Sequence, residues 1–249
     1  MHSAFTDLHT HILPGVDDGA KDLEKALEML RMQKACGVER VALTPHFYPL
    51  REEFQSFLDK RQQAYEGLLP NWDAESMPDL RLGAEVHYSP ALAELDLRRL
   101  TIGQSDYLLL ELSNNAFPAH IETILKMMLQ QGITPILAHV ERCVYFLEEP
   151  GTLVQLVELG AMAQVSSKAM VEKKKKKFVE ACLQKNVAQF IASDIHDLWE
   201  EKYLLGNIAP KTDEKLITRA EGFAQAVWNN APPPAYTVSP IKRTLFGYV

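Results

Sequence analysis

Short apolar runs alternate along this chain with longer segments whose apolar residues recur every three or four positions. Residues 4–8 (Ala-Phe-Thr-Asp-Leu) predict a short buried strand. Residues 20–36 follow as a helix, with Leu23, Leu27 and Leu30 on one face, Glu24, Lys25 and Glu28 between them, and Gly37 as its cap. The alternation continues with a strand at 38–43, a helix at 51–69 stopped by Pro70, and a polar connector through Pro78. Strands follow at 80–86 and 106–111, then a helix at 118–131 capped by Gly132 and a strand at 133–138. A helix at 150–159 ends at Gly160, and then come a strand at 161–165, a helix at 168–185, a strand at 187–192 and a helix at 212–229. Residues 231–249, opening on Pro232-Pro233-Pro234, read as a loosely structured C-terminal extension. About seven strands alternating with helices predict an α/β fold of parallel units, and the count suits a (β/α) barrel. No repeat or linker divides residues 1–249, so one domain is expected.

Composition narrows the class. Of 249 residues, 47% are apolar and 24% charged, enough for an ordinary globular core. A net charge of −7 argues against nucleic acid as a partner, because phosphate neutralisation needs a clustered positive surface. Three cysteines, Cys36, Cys143 and Cys182, make no disulfide framework and suit a reducing compartment. The first residues carry no basic stretch leading into an apolar run, and no segment reaches 18 uninterrupted apolar residues. A cytoplasmic protein without membrane insertion is the expectation.

The chemistry gathers at one point of each unit. His9 and His11, His46, Glu85, Glu111, His139, and Asp194 with His196 all lie at or just after the C-terminal ends of predicted strands. In a parallel barrel those ends share one face, where active sites are built. His9 and His11 are two apart, so a strand period of two turns both imidazoles the same way. Five of the eight histidines take part, with several carboxylates and no thiolate, a donor set for Mn²⁺, Fe or Zn²⁺. The ligands are too many for one ion, so two or three ions bridged by Glu85 or Glu111 are expected. Such clusters acidify a bound water and clamp attacking and leaving oxygens in line, which points to phosphoester hydrolysis. Arg142, three residues after His139, would rim the same bowl and take a phosphate bidentately; its alternative is a surface ion pair with Glu141 or Glu148.

Other features carry less. A thiol phosphatase needs an Arg six positions after its Cys, and positions 42, 149 and 188 are Ala, Glu and Ala. His2, His87 and His120 fall off the ligand pattern, although His87 is near Glu85. The run Lys173 to Lys177 reads as a solvated face at the start of the helix from 168, with attraction to anionic lipid or an acidic phosphorylated tail as the alternative.

The motifs His9-x-His11, Thr44-Pro45-His46, His139 and Asp194-x-His196 resemble those of the polymerase and histidinol phosphatase (PHP) family. The string from Asp7 to Gly19, together with Thr44–Phe47, Gly83–Val86, His139–Arg142 and Ser193–His196, is similar to the CpsB-type metal-dependent protein-tyrosine phosphatases of bacterial capsule and exopolysaccharide systems. The resemblance implies a distorted (β/α)₇ barrel holding three ions, usually Mn²⁺. It implies one ion at His9, His11, Glu85 and Asp194, a second at Glu85, Glu111 and His139, and a third at Asp18, His46 and His196, with Asp17 as the alternative to Asp18. It also implies metal-hydroxide attack on phosphotyrosine of an autophosphorylated tyrosine kinase, with Arg142 on the phosphate oxygens. The chain departs from the branch after the last motif, where Lys202 stands near the position of a second phosphate-directed Arg and would serve as a point charge. The rival readings are a phosphoesterase for histidinol phosphate or another small ester, a metal-dependent amidohydrolase, and a catalytically dead regulatory domain.

Overall fold

The computed structural model describes residues 4–244 and 247–249, so His2 lies outside the described residues. Strand β1 (Phe5–Thr10) leads through the Pro14–Gly19 turn into helix α1 (Leu23–Ala35). The Asp22 carboxylate caps α1 by accepting from the Lys25 amide at 2.9 Å, and Ala26, Met29, Leu30 and Gln33 form its buried face. Gly37 follows with φ of 81°, the left-handed position that favours glycine beyond a helix end. Strands β2 (Val38–Leu43) and β3 (His46–Phe47) are one strand interrupted at Thr44-Pro45, and helix α2 (Phe54–Leu68) comes next.

The single strand expected at 80–86 is also interrupted. It forms β4 (Asp79–Leu82) and β5 (Glu85–His87), with a break at Gly83-Ala84. The buried guanidinium of Arg61, reaching from α2, donates to the Gly83 carbonyl at 2.8 Å and takes that oxygen out of the sheet. Two 3₁₀ turns, Pro90–Glu94 and Leu97–Leu100, fill the next connection. Then follow β6 (Tyr107–Glu111), α3 (Ile121–Gln130), β7 (Thr134–Leu137), α4 (Val144–Glu148), α5 (Pro150–Glu158) and β8 (Met162–Ser166).

The helix expected at 168–185 starts later. A 3₁₀ turn at Ser167–Met170 precedes α6 (Lys176–Gln184), and no side chain caps α6 at Lys175. Five consecutive cations oppose the positive end of a helix dipole, so most of the lysine run stays in the preceding turn. Lys175 and Lys176 pair with Glu172 and Glu180, each at 3.7 Å. Strand β9 is confined to Phe190–Ala192, because the Val187 and Ala188 amides donate to the Cys182 carbonyl of α6 at 2.8 and 3.0 Å, and the Ala163 amide donates to the Gln189 side chain at 2.9 Å in place of a backbone carbonyl. Helices α7 (Leu205–Ile208) and α8 (Glu214–Trp228) complete the body.

All pairings in the main sheet are parallel, in the orders β1-β2-β4 and β3-β5-β6-β7-β8-β9. The sheet curls until the segment after β9 meets β1. The Asp194 amide donates to the His9 carbonyl and the His11 amide to the Ile195 carbonyl, both at 2.9 Å. Leu8, Ala42, Leu109, Ile136, Met162 and Phe190 pack with Phe223, Val227 and Trp228 of α8 in one buried cluster. A second, larger buried cluster includes residues of α1 to α6. On β6, Leu109 of the inner cluster and Glu111 share a face, so apolar packing gives way to charge within one strand repeat.

The C-terminal stretch lacks regular structure from 231 to 242 but lies docked. Ser239 donates to the Lys185 carbonyl at 2.9 Å, and Ile241 is buried. Beyond it, β10 (Arg243–Thr244) pairs antiparallel with β11 (Gly247–Tyr248), and the Tyr248 ring meets Phe178 edge-on at 5.1 Å. Among the described residues no helix is long and apolar enough to cross a membrane.

Candidate metal centre

The candidate ligands lie at or just beyond the C-terminal ends of β1, β6, β7 and β9, and on the short strands β3 and β5 that continue β2 and β4 past their breaks. His9 and His11 leave the end of β1 fully buried, with their Nε2 atoms 3.1 Å apart. Glu85 opens β5 and is also fully buried. His139 and Asp194 lie just beyond the ends of β7 and β9, after Ala138 and Ser193, with φ of 31° and 54°. A left-handed residue other than glycine is uncommon, and here it turns two functional side chains off the strand direction and into the bowl.

The side chains converge in three overlapping groups. His9, His11, Glu85 and Asp194 offer ligand atoms to one point, as do His46, Glu85 and Glu111, and as do His11, Asp18, His46 and His196. Glu85 is the hub. Its Oε2 lies 3.2 Å from His9, 3.3 Å from His11 and 2.9 Å from His46, and its Oε1 lies 2.7 Å from His139 Nε2. Glu111 Oε1 is 3.7 Å from the same His139 nitrogen. Asp18, whose side chain is 70% exposed, places Oδ1 3.7 Å from His46 Nε2 and 3.5 Å from His196 Nε2.

The donor set fits divalent ions. His46 Nδ1, Glu85 Oε2 and Asp194 Oδ1 are buried and have no hydrogen-bond partner. Glu85 Oε2 and His46 Nδ1 approach to 2.9 Å in an alignment that makes no hydrogen bond, and Asp194 Oδ1 faces His9 and His11 at 3.3 Å in the same way. Buried polar atoms left unpaired are costly. A shared cation satisfies imidazole nitrogens and carboxylate oxygens together.

The same imidazoles and carboxylates stabilise one another's charged forms. Burial disfavours a charged His9, but Glu85 and Asp194 outweigh it and raise its pKa. Burial likewise opposes charge on His11, yet contacts with Asp17, Asp194 and Glu85 bring its pKa well above the usual imidazole value. The reverse holds for the acids. Against the upward push of burial, the surrounding imidazoles keep Glu85 well below the carboxylate range, and His9, His11 and Arg142 do the same for Asp194. His196 is lowered, by burial first and then by the neighbouring His11.

The two adjacent aspartates of the turn separate cleanly in position. Asp17 is turned inward: Oδ2 meets His11 Nδ1 at 2.6 Å and accepts from the His46 amide at 3.0 Å, while Oδ1 accepts from the Gly19 amide at 3.1 Å. Asp18 faces His46 and His196. Three further side chains orient candidate ligands: Gln164 and Asp7, which escaped the sequence reading, and His87, which it noted only for its nearness to Glu85. Gln164 Oε1 lies 3.2 Å from His9 Nδ1 and accepts from the His139 amide at 2.8 Å. Its signal was a lone amide inside the apolar run Ala-Met-Ala-Gln-Val. His87 Nδ1 lies 2.9 Å from Glu111 Oε2, which gives substance to its nearness to Glu85. Asp7 accepts from the Ser193 amide and the Gln33 side chain, each at 3.0 Å, and so ties β1 to the Asp194 turn.

Arg142 sits in a 3₁₀ turn, Val140–Arg142, and its guanidinium pairs with Asp194 Oδ2 at the rim. It lines a cleft with Lys168, Asp194, His196 and Glu200. Lys202 is exposed, with its ammonium 5.8 Å from the Trp199 ring centre and 5.0 Å from that of Tyr203. His120 is exposed at the start of α3. The cysteines play no part in the bowl, and burial pushes the Cys143 thiol up to about 11, which leaves it a poor nucleophile.

This is an α/β protein whose strand ends assemble a candidate multinuclear metal site. Residues 5–220 match the family described as capsular polysaccharide synthesis, CpsB/CapC, and the chain belongs to that family. Tyrosine-protein phosphatase CpsB of Streptococcus pneumoniae is 31% identical over 208 residues, covering 77% of this chain and 83% of the relative. Tyrosine-protein phosphatase YwqE of Bacillus subtilis is 29% identical over 204 residues, 77% of each chain. A crystal structure from work on YwqE and CpsB, described as unique metal-dependent tyrosine phosphatases, aligns with a TM-score of 0.82 over 96% of this chain and 100% of that one, at 24% identity.

Proposed function

We propose that this chain is a metal-dependent protein-tyrosine phosphatase of a bacterial polysaccharide system. The observation that carries the reading is Glu85: one fully buried carboxylate shared among His9, His11, His46 and His139, with Arg142 at the rim. The closing hydrogen bonds between β1 and the segment after β9 support a distorted (β/α)₇ barrel of PHP type. In this reading His9, His11, Glu85 and Asp194 hold one ion, Glu85, Glu111 and His139 a second, and Asp18, His46 and His196 a third. Nitrogen and oxygen donors without a thiolate suit Mn²⁺, with Fe or Zn²⁺ as substitutes. When bound, such ions lower the pKa of a coordinated water and offset charge on the phosphoryl oxygens.

The chain's own residues do the rest. Asp17 holds the His11 ring through Nδ1, and Gln164 holds His9, so the Nε2 atoms of both rings point inward. Arg142 binds phosphate oxygens through its planar fork. A tyrosine phenolate, with a pKa of about 10, leaves far more readily than an alkoxide and needs little help from an acid. The natural substrate in this reading is an autophosphorylated tyrosine kinase, met in the cytoplasm, where three unpaired thiols are at home. Substrate profiling of the manganese-loaded protein tests the reading. Phosphotyrosyl peptides should be turned over far faster than histidinol phosphate, and the opposite preference would overturn it.

A further inference from the structure

We propose that Lys168 supplies the second cation of the phosphate cleft it lines with Arg142, in the place for which Lys202 is the candidate by sequence. The inference rests on the phosphatase reading above. Lys168 lies in the 3₁₀ turn that leaves the C-terminal end of β8, so it rises on the same face as His139 and Asp194. It lines one cleft with Arg142, Asp194, His196 and Glu200, and the Arg142 and Lys168 side chains are each 35% exposed. Both reach the cleft while remaining open to an incoming anion.

The ammonium of Lys168 is held without being used up. Its nearest carboxylate, Glu200 Oε1, is 3.8 Å away, longer than a hydrogen bond. Its other neighbours are the faces of Trp199 and Tyr203, at 5.5 and 5.3 Å from the ring centres. Such contacts fix a cation's position and leave its three N–H donors for a ligand. Glu200 is itself anchored, since its Oε2 accepts from the His196 amide at 2.9 Å. The pair therefore stands at a set distance from the candidate ligands. Arg142 is already paired with Asp194, and Lys168 adds a second side-chain cation for the oxygens of a dianionic phosphate monoester. Lys202 touches the same two rings but is exposed and lines no part of the cleft.

The test is calorimetric titration of the manganese-loaded protein with inorganic phosphate, alongside kinetics on a phosphotyrosyl peptide. Lys168→Met should weaken phosphate binding about tenfold, the scale of one charged hydrogen bond, and raise KM more than it lowers kcat. Metal content and melting temperature should stay at wild-type values, and Lys168→Arg should recover phosphate affinity to within about threefold. Unchanged phosphate binding in Lys168→Met would overturn the proposal, and so would an equal loss in Lys202→Met. A wild type inactive on aryl phosphates would instead sink the phosphatase reading, while the phosphate titration would still decide the role of Lys168.

Discussion

Asp17→Asn isolates the carboxylate that orients the His11 ring. The carboxylate serves three groups at once, His11 Nδ1 and the amides of Gly19 and His46, with its side chain 5% exposed. Burial raises its pKa, but the bond to His11 and then the two amides outweigh this and bring it from 3.8 down to about 2. At about 1.4 kcal/mol per unit, that depression contributes about 2.5 kcal/mol to the stability of the metal-free protein at neutral pH. The folded-state pKa is the lower one, so the contribution is present above the unfolded value near 3.8 and fades as pH falls towards about 2. Urea unfolding of chelator-treated wild type and Asp17→Asn should differ by about 2 kcal/mol at pH 7 and by about half that near pH 3. The released His11 ring should also cost about 10- to 100-fold in metal affinity, read by competition with a chelating dye. Equal stabilities at pH 7, or a gap that widens as pH falls, would refute the linkage argument.

Two further outcomes follow from contacts in the same bowl. A Cβ at Gly19 would lie 1.8 Å from the His11 carbonyl oxygen and 2.6 Å from His11 Cβ, so Gly19→Ala must displace backbone. It should destabilise by about 3 kcal/mol in urea titration and release metal. Arg142→Ala should lower kcat/KM on phosphotyrosyl peptides by about 100-fold, with Arg142→Lys intermediate because an ammonium lacks the bidentate fork.

Much of this arrangement is readable before folding because two periodicities carry it. Alternation along a strand places His9 beside His11, and the regular succession of strands and helices brings the ends of β2 to β9 to the rim where His46, Glu85, Glu111, His139 and Asp194 meet. What escapes the sequence depends on contacts between distant segments. Asp17 and Asp18 are chemically identical neighbours, and only the Gly19 and His46 amides and the His11 ring decide which carboxylate turns inward. The break at Gly83 needs Arg61 from α2, and the late start of α6 reflects five like charges at an uncapped helix end. Gln164 and His87 act through partners 155 and 24 positions away, separations that no local pattern encodes. Lys168 and Arg142 come to line one cleft only through the turns that follow β7 and β8.

The most direct measurement is metal content by elemental analysis, paired with phosphotyrosine turnover, for wild type and His139→Ala. The account predicts two or three ions per wild-type chain, turnover that chelation abolishes and Mn²⁺ restores, and a variant that binds at least one ion fewer and is nearly inactive. A wild type that hydrolyses phosphotyrosine with no bound metal, or a His139→Ala variant with full metal content and full activity, would contradict it.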